Sequence, residues 1–163
     1  MAPNDDIIEE FKSKFSEMKK DLGFKVSYEE LEEIFFFEDY ILGSKYVSTK
    51  LSRALSARMR DLFNSWSSGF HALLIPSPYS MIQMGDSESL NDDDKKEVTR
   101  IMREFTAHVM KNSGIGIRKD KKKEAQYFDD SVALWNRNKE KIAEIQDKIA
   151  AHWKELSEMK EDE

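Results

Sequence analysis

Between residues 43 and 76, apolar side chains recur at Val47, Leu51, Leu55, Met59, Leu62, Trp66, Phe70 and Leu73, in steps of four or three. That spacing is the period of a single helical face. Across residues 40–85 the only acid is Asp61, although 36% of the whole chain is charged. Ser52, Ala54, Ser56 and Ala57 occupy the other sides, where small side chains let neighbouring backbones come close. A helix this poor in charge is expected to be covered on more than one side. The stretch therefore predicts the central helix, about 44–75, of an all-α bundle of about five helices.

At 163 residues the chain is expected to form a single α-helical domain, 1–163, with its own core. Six Gly and three Pro leave little for a turn-rich β-fold, and strand-like alternation is absent. With no cysteine, disulfides and thiolate metal sites are excluded. The acidic first residues (Asp5, Asp6, Glu9, Glu10) are unlike the basic start and apolar run of a secretory signal. Apolar runs such as Ile34-Phe35-Phe36-Phe37 are far below a membrane span. The expectation is a cytoplasmic protein with no membrane partner.

Helical signals fill the rest. Asn4 is a suitable N-cap, Phe11, Phe15 and Met18 lie on one face, and Gly23 is placed to end the first helix. Ser27 and Glu30 have capping-box spacing and open a second helix reaching Leu42. Its three consecutive Phe residues cannot all face one neighbour, so it is expected to be buried between two others. A fourth helix starts at Asn91 or the acidic run 92–94 and is expected to stop at Asn112-Ser113-Gly114, with Ile115-Gly116-Ile117 a flexible link. The last, about 121–160, carries Phe128, Trp135, Ile142, Ile145 and Ile149 on a seven-residue repeat, interrupted by Ser131, Asn138 and His152. At 1.5 Å per residue it would reach about 55–60 Å, so it bends or extends beyond the body, where it could pair with a second copy.

Charge is distributed unevenly. The whole chain carries −6 with a pI near 5.3. Residues 40–85 hold five basic side chains against Asp61, net +4, which leaves −10 for the remainder. Just upstream stand Glu29, Glu30, Glu32, Glu33, Glu38 and Asp39. Side-by-side packing of the acidic second helix and the basic central one accounts for this pattern.

No catalytic motif is present: no phosphate loop, no nucleophile elbow, no His-Glu-x-x-His. Glu104 and His108 share a helical face but lack the further carboxylates of a di-metal bundle, and His71 with Asp86 or Glu88 would need the following loop to fold back. The expectation is no enzyme, no cofactor and no metal, with a carboxylate-rich metal bundle or enzyme as a remote alternative. Two surfaces remain. The 76–91 connection is long for a bundle and carries Tyr79, Met81, Ile82 and Met84. It is either a strap that plugs the end of the bundle, with one short helix over 79–84, or a partner-binding loop. The second surface is basic: Arg118, Lys119, Lys121, Lys122 and Lys123, with Arg53 and Arg60 two turns apart on the central helix, could meet nucleic-acid phosphates. A non-catalytic interaction protein (an adaptor, assembly or regulatory subunit), joining a protein partner or itself, is the leading expectation, and RNA or DNA binding its alternative.

Overall fold

The computed structural model describes residues 3–159. Seven helices and no strand occur among them: α1 Pro3–Leu22, α2 Tyr28–Phe35, α3 Phe37–Ser44, α4 Leu51–Leu74, α5 Met81–Glu88, α6 Asp92–Arg118 and α7 Lys121–Met159. The class is all-α with a long C-terminal helix, as expected; the number of helices is larger. Among the described residues no helix is long and apolar enough to cross a membrane.

By its contacts the chain divides into two compact units. Unit 1 comprises Met1–Phe63 and His108–Trp135; unit 2 comprises Asn64–Ala107 and Asn136–Glu163. In unit 1, Phe11, Phe15, Leu31, Phe37, Leu55 and Met59 are fully or almost fully buried, and Phe24 stacks on Phe128 at 4.5 Å. In unit 2 the core is Phe70, Leu73, Val98, Ile101, Phe105, Ile142 and Ile145.

The start of α1 at Pro3 is two residues earlier than an Asn4 cap would give; proline is well suited to a first helical turn because its missing N–H has no partner there anyway. Gly23 ends α1 with φ +78°, its N–H donating to Lys19 O at 2.8 Å. The Ser27–Glu30 capping box forms in both directions.

The expected second helix is two helices. Phe36 adopts a left-handed conformation (φ 52°, ψ 53°), capping α2 through its N–H to Glu32 O. The break solves the packing problem of three adjacent rings. In a continuous helix they would point 100° apart; here Phe35 and Phe37 both enter the core, 5.8 Å apart, and Phe36 turns outward, 52% exposed. A left-handed phenylalanine costs on the order of 1 kcal/mol, which burial of two Phe rings outweighs. Glu32 helps by accepting from Glu38 N–H at 3.1 Å, in place of a cap side chain at Phe36.

The central helix is also shorter than its periodicity implies. α3 runs on through Gly43 and stops at Lys45, which is left-handed with its N–H on Ile41 O. Residues 45–50 then form a turn, Ser48 Oγ accepts from Lys50 N–H, and α4 starts at Leu51. Val47 fills the core from this turn, so an apolar residue in helical register does not have to be in the helix. Covering on several sides holds for the first part of α4, where residues 51–60 include no exposed position, and fails beyond it. The acids of α2 and α3 form no ion pair with α4 among the described residues: Arg58 donates to the Phe35 carbonyl, and Glu38 pairs with Lys12.

α6 continues one and a half turns past the expected stop. Asn112 and Ile115 are buried, and tertiary burial overrides the helix-breaking tendency of Asn112-Ser113-Gly114. The helix ends at Lys119 (φ 54°), whose N–H reaches Ile115 O. Its start has Asn91 and Asp94 exchanging side-chain-to-backbone bonds at 2.9 and 3.3 Å.

Candidate functional site

In unit 2, Ser80 caps α5 by accepting from Gln83 N–H, while Gln83 Oε1 takes the Ser77 N–H and closes the turn after Pro76. The buried side of α5 is its small and polar side, Gly85 and Ser87. Gly85 lies under the Trp153 indole so closely that a Cβ would fall 2.6 Å from the ring, and Trp153 Nε1 donates to Asp86 Oδ1 at 2.7 Å. This contact decides which way α5 faces. Its apolar side is turned out: Met81 is 84% exposed, Ile82 68% and Met84 38%, and Tyr79 (97%) and Ile75 (66%) in the connection before it are exposed as well. The strap does not plug the bundle with these residues, as one of the two expectations had it, and its helix covers 81–88 rather than 79–84. The sequence could not reveal the inversion, because it depends on a glycine meeting a tryptophan 68 positions away.

In unit 1, the basic segment lies where α6 ends and α7 begins. Arg118, Lys119, Lys121, Lys122 and Lys123 are all exposed. Lys121 reaches Asp21 at 3.2 Å, which brings the segment to the C-terminal turn of α1; Lys25 lines one cleft with Lys121 and Lys122, and Lys19 and Lys20 of that turn line the adjoining one. Lys19 and Lys20 are legible in the sequence as the basic last turn of the first helix, but nothing local links them, or Lys25, to residue 121. Arg53 and Arg60 have other surroundings. The Arg53 guanidinium lies against Gly116, where a Cβ would sit 2.7 Å from Nη2, and faces Glu124 at 3.8 Å; Arg60 pairs with Asp61 at 2.8 Å.

Between α4, α6 and α7, unit 1 buries a polar layer. His108, Asn112, Ser56, Glu124, Tyr127 and Ser131 are each under one-tenth exposed. The His108 ring stacks on Tyr127 at 4.1 Å and its Nε2 lies 2.7 Å from Ser131 Oγ. The Ser131 hydroxyl donates its one proton to the Tyr127 carbonyl at 2.6 Å, so towards His108 it accepts, and Nε2 carries the hydrogen. Burial drives the His108 pKa down to about 4, keeping the ring neutral. Burial likewise raises the Tyr127 phenol. Of five buried side-chain polar atoms without a hydrogen-bond partner among the described residues, three belong to this layer, Asn112 Oδ1, Glu124 Oε1 and Tyr127 Oη, and a fourth, Arg53 Nη1, faces Glu124.

The other candidate residues are held apart from any such layer. Glu104 accepts from Asn138 and Arg137 and pairs with Arg100 at 3.0 Å; burial alone would raise its pKa, but these bonds and charges bring it below the ordinary value. His71 is exposed, and Asp86 serves Trp153. No group of three or more His, Asp or Glu side chains among the described residues is arranged to hold a metal ion. Comparison of the chain with protein-family profiles, with curated proteins and with solved structures gave no match.

Proposed function

We propose that the protein is a non-catalytic interaction subunit that takes a protein partner on the apolar face of the 75–84 segment. The exposure of Tyr79, Met81 and Ile82 is the observation that carries this reading. Contiguous exposed apolar side chains are uncommon on monomers and mark association surfaces. Two further features support it. α5 is fixed by the Trp153 bond and the Gly85 contact, so the face is presented on an ordered scaffold and binding costs little conformational entropy. Methionine and tyrosine are also adaptable and amphipathic contact residues.

The test places a photo-crosslinking amino acid at Tyr79 in the protein expressed in its own cells. The expected outcome is one defined crosslinked product, lost when Met81→Asp and Ile82→Asp are introduced together. A central interface residue contributes about 2 kcal/mol or more, so the loss of even one of the two should weaken association roughly 30-fold, and the double change at least that much. If the product is a second copy of the chain, the partner is the protein itself. Identical crosslinks with and without the aspartates would refute the proposal.

A further inference from the structure

Unit 1 has a second, chemically different surface. Two open clefts meet at Gly23 and Phe24. One, about 680 Å³, is lined by Lys12, Lys19, Lys20, Phe15 and Tyr28; the other, about 380 Å³, by Lys25, Lys121, Lys122, Ala125 and Gln126. Arg118, Lys119 and Lys123 stand beside Lys121 and Lys122 in the chain and are exposed. Among the described residues, the side chains of Lys20, Lys25, Arg118, Lys119, Lys122 and Lys123 have no carboxylate partner. The nearby acids are already engaged: Asp21 with Lys121, Asp129 with the backbone N–H groups of Lys25 and Val26, and Asp120 with that of Lys123. Glu29 at the rim of the first cleft is the exception. A chain of net charge −6 thus carries six cations without a carboxylate partner in the short segments 20–25 and 118–123, against its overall sign.

We propose that this corner, where the last turn of α1 meets the first turn of α7, binds a single nucleic-acid strand through its phosphates. The chemistry of the walls selects that ligand over others. A peptide partner needs apolar anchors or a strand edge to pair with. Here Phe15, Phe24 and Ala125 are buried and no strand is present among the described residues, so the lysine ammonium groups are the main contacts the clefts offer. Charge alone supports useful affinity only towards a polymer of high, regular charge density, and a nucleic-acid strand carries one phosphate per nucleotide. Lysine suits phosphate as a point charge. The concave, adjoining clefts follow a chain better than they meet the flat surface of a lipid bilayer. Phe24 is committed to Phe128 rather than free to stack on a base, and contacts to phosphates carry no sequence information, so recognition is independent of sequence.

The experiment is fluorescence anisotropy of the whole protein with a labelled oligonucleotide of about 20 residues over a range of salt, where each phosphate contact contributes about 0.7 to the slope of log Kd against log salt. Binding should be measurable at low salt with a slope equivalent to several contacts. Lys20→Glu, Lys25→Glu and Lys122→Glu together should weaken it by more than about tenfold and flatten the slope. The same charge change in unit 2, Lys96→Glu with Lys139→Glu and Lys154→Glu, should weaken it far less. Neutral Gln versions replace the reversals if circular dichroism reports a disturbed fold. No binding at low salt, equal loss in both triple variants, or competition by polyglutamate or anionic vesicles as effective as by unlabelled strand would each overturn the proposal. Because Met81→Asp with Ile82→Asp should leave the anisotropy titration unchanged, this surface and the apolar one fail separately.

Discussion

Two asparagines, each without solvent exposure, are treated in opposite ways in the two units. In unit 2, Asn138 has both ends of its amide engaged: Oδ1 accepts from Arg100 at 3.1 Å and Nδ2 donates to Glu104 at 3.0 Å. In unit 1, Asn112 donates to the Ser56 carbonyl only at 3.5 Å and its Oδ1 has no partner. The surroundings repeat the contrast. Asp94 of unit 2 closes a capping box and an ion pair with Lys148 at 2.6 Å; Glu124 of unit 1 faces Arg53 at 3.8 Å, beyond hydrogen-bond reach. A buried polar group that is fully paired fixes register at little net cost, whereas an unpaired one subtracts from stability. Unit 2 therefore uses its polar layer to hold helices in place, and unit 1 carries a layer that weakens its own core.

The largest effect expected from this contrast is a pH dependence located in unit 1. His108 titrates near 4 when folded, against an ordinary 6.5. As pH falls from 6.5 towards 4, the unfolded chain takes up a proton that the folded ring refuses, so stability drops across that window and levels off below it. The loss amounts to about 3 kcal/mol. Urea melts of wild type and His108→Gln over this pH range should diverge by that amount; parallel curves would show that the ring is not held neutral.

Next in size is Asn138→Ala, which strips one bond each from Arg100 and Glu104 and should cost about 2 kcal/mol in chemical denaturation. Asp94→Asn removes the ion pair with Lys148 and weakens the cap at the start of α6, for a loss of about 1 kcal/mol. The hydrogen bond from Lys148 holds the Asp94 carboxyl below its usual range, against the effect of burial. The contribution of that group is thus present above the ordinary carboxylate pKa and disappears as pH falls through the lower folded value, a slope that Asp94→Asn should lack. Smallest, and opposite in sign, is Tyr127→Phe. Removing a buried hydroxyl without a partner should leave stability unchanged or raise it by up to about 1 kcal/mol. A clear destabilisation in the thermal melt would mean that the hydroxyl is paired and the contrast between the units is false.

The two surfaces differ just as sharply in how they could be found. Tyr79, Met81, Ile82 and Met84 were visible as apolar residues in a long connection, yet the same four letters describe a plug and a binding face. Which one they form turns on Gly85 and Trp153. The basic segment 118–123 was visible as a run, but its extension to Lys20 and Lys25 depends on α1 and α7 meeting end to end. The polar layer left only faint marks: Ser131 and Asn138 stand at weak positions of the last helix's repeat, and His108 and Asn112 lie one turn apart.

What the amino-acid order determined by itself is local: an all-helical chain, the Ser27–Glu30 cap, the stop at Gly23 and the last helix from Lys121. Each follows from interactions within a few residues or from a period that one helix face imposes. Tertiary structure decided the rest. It split the Phe run at Phe36, kept Val47 out of the helix whose rhythm it shares, carried α6 through Gly114 and Gly116, and turned the apolar side of α5 outward. In each case burial against a distant residue outweighed a local preference of about 1 kcal/mol.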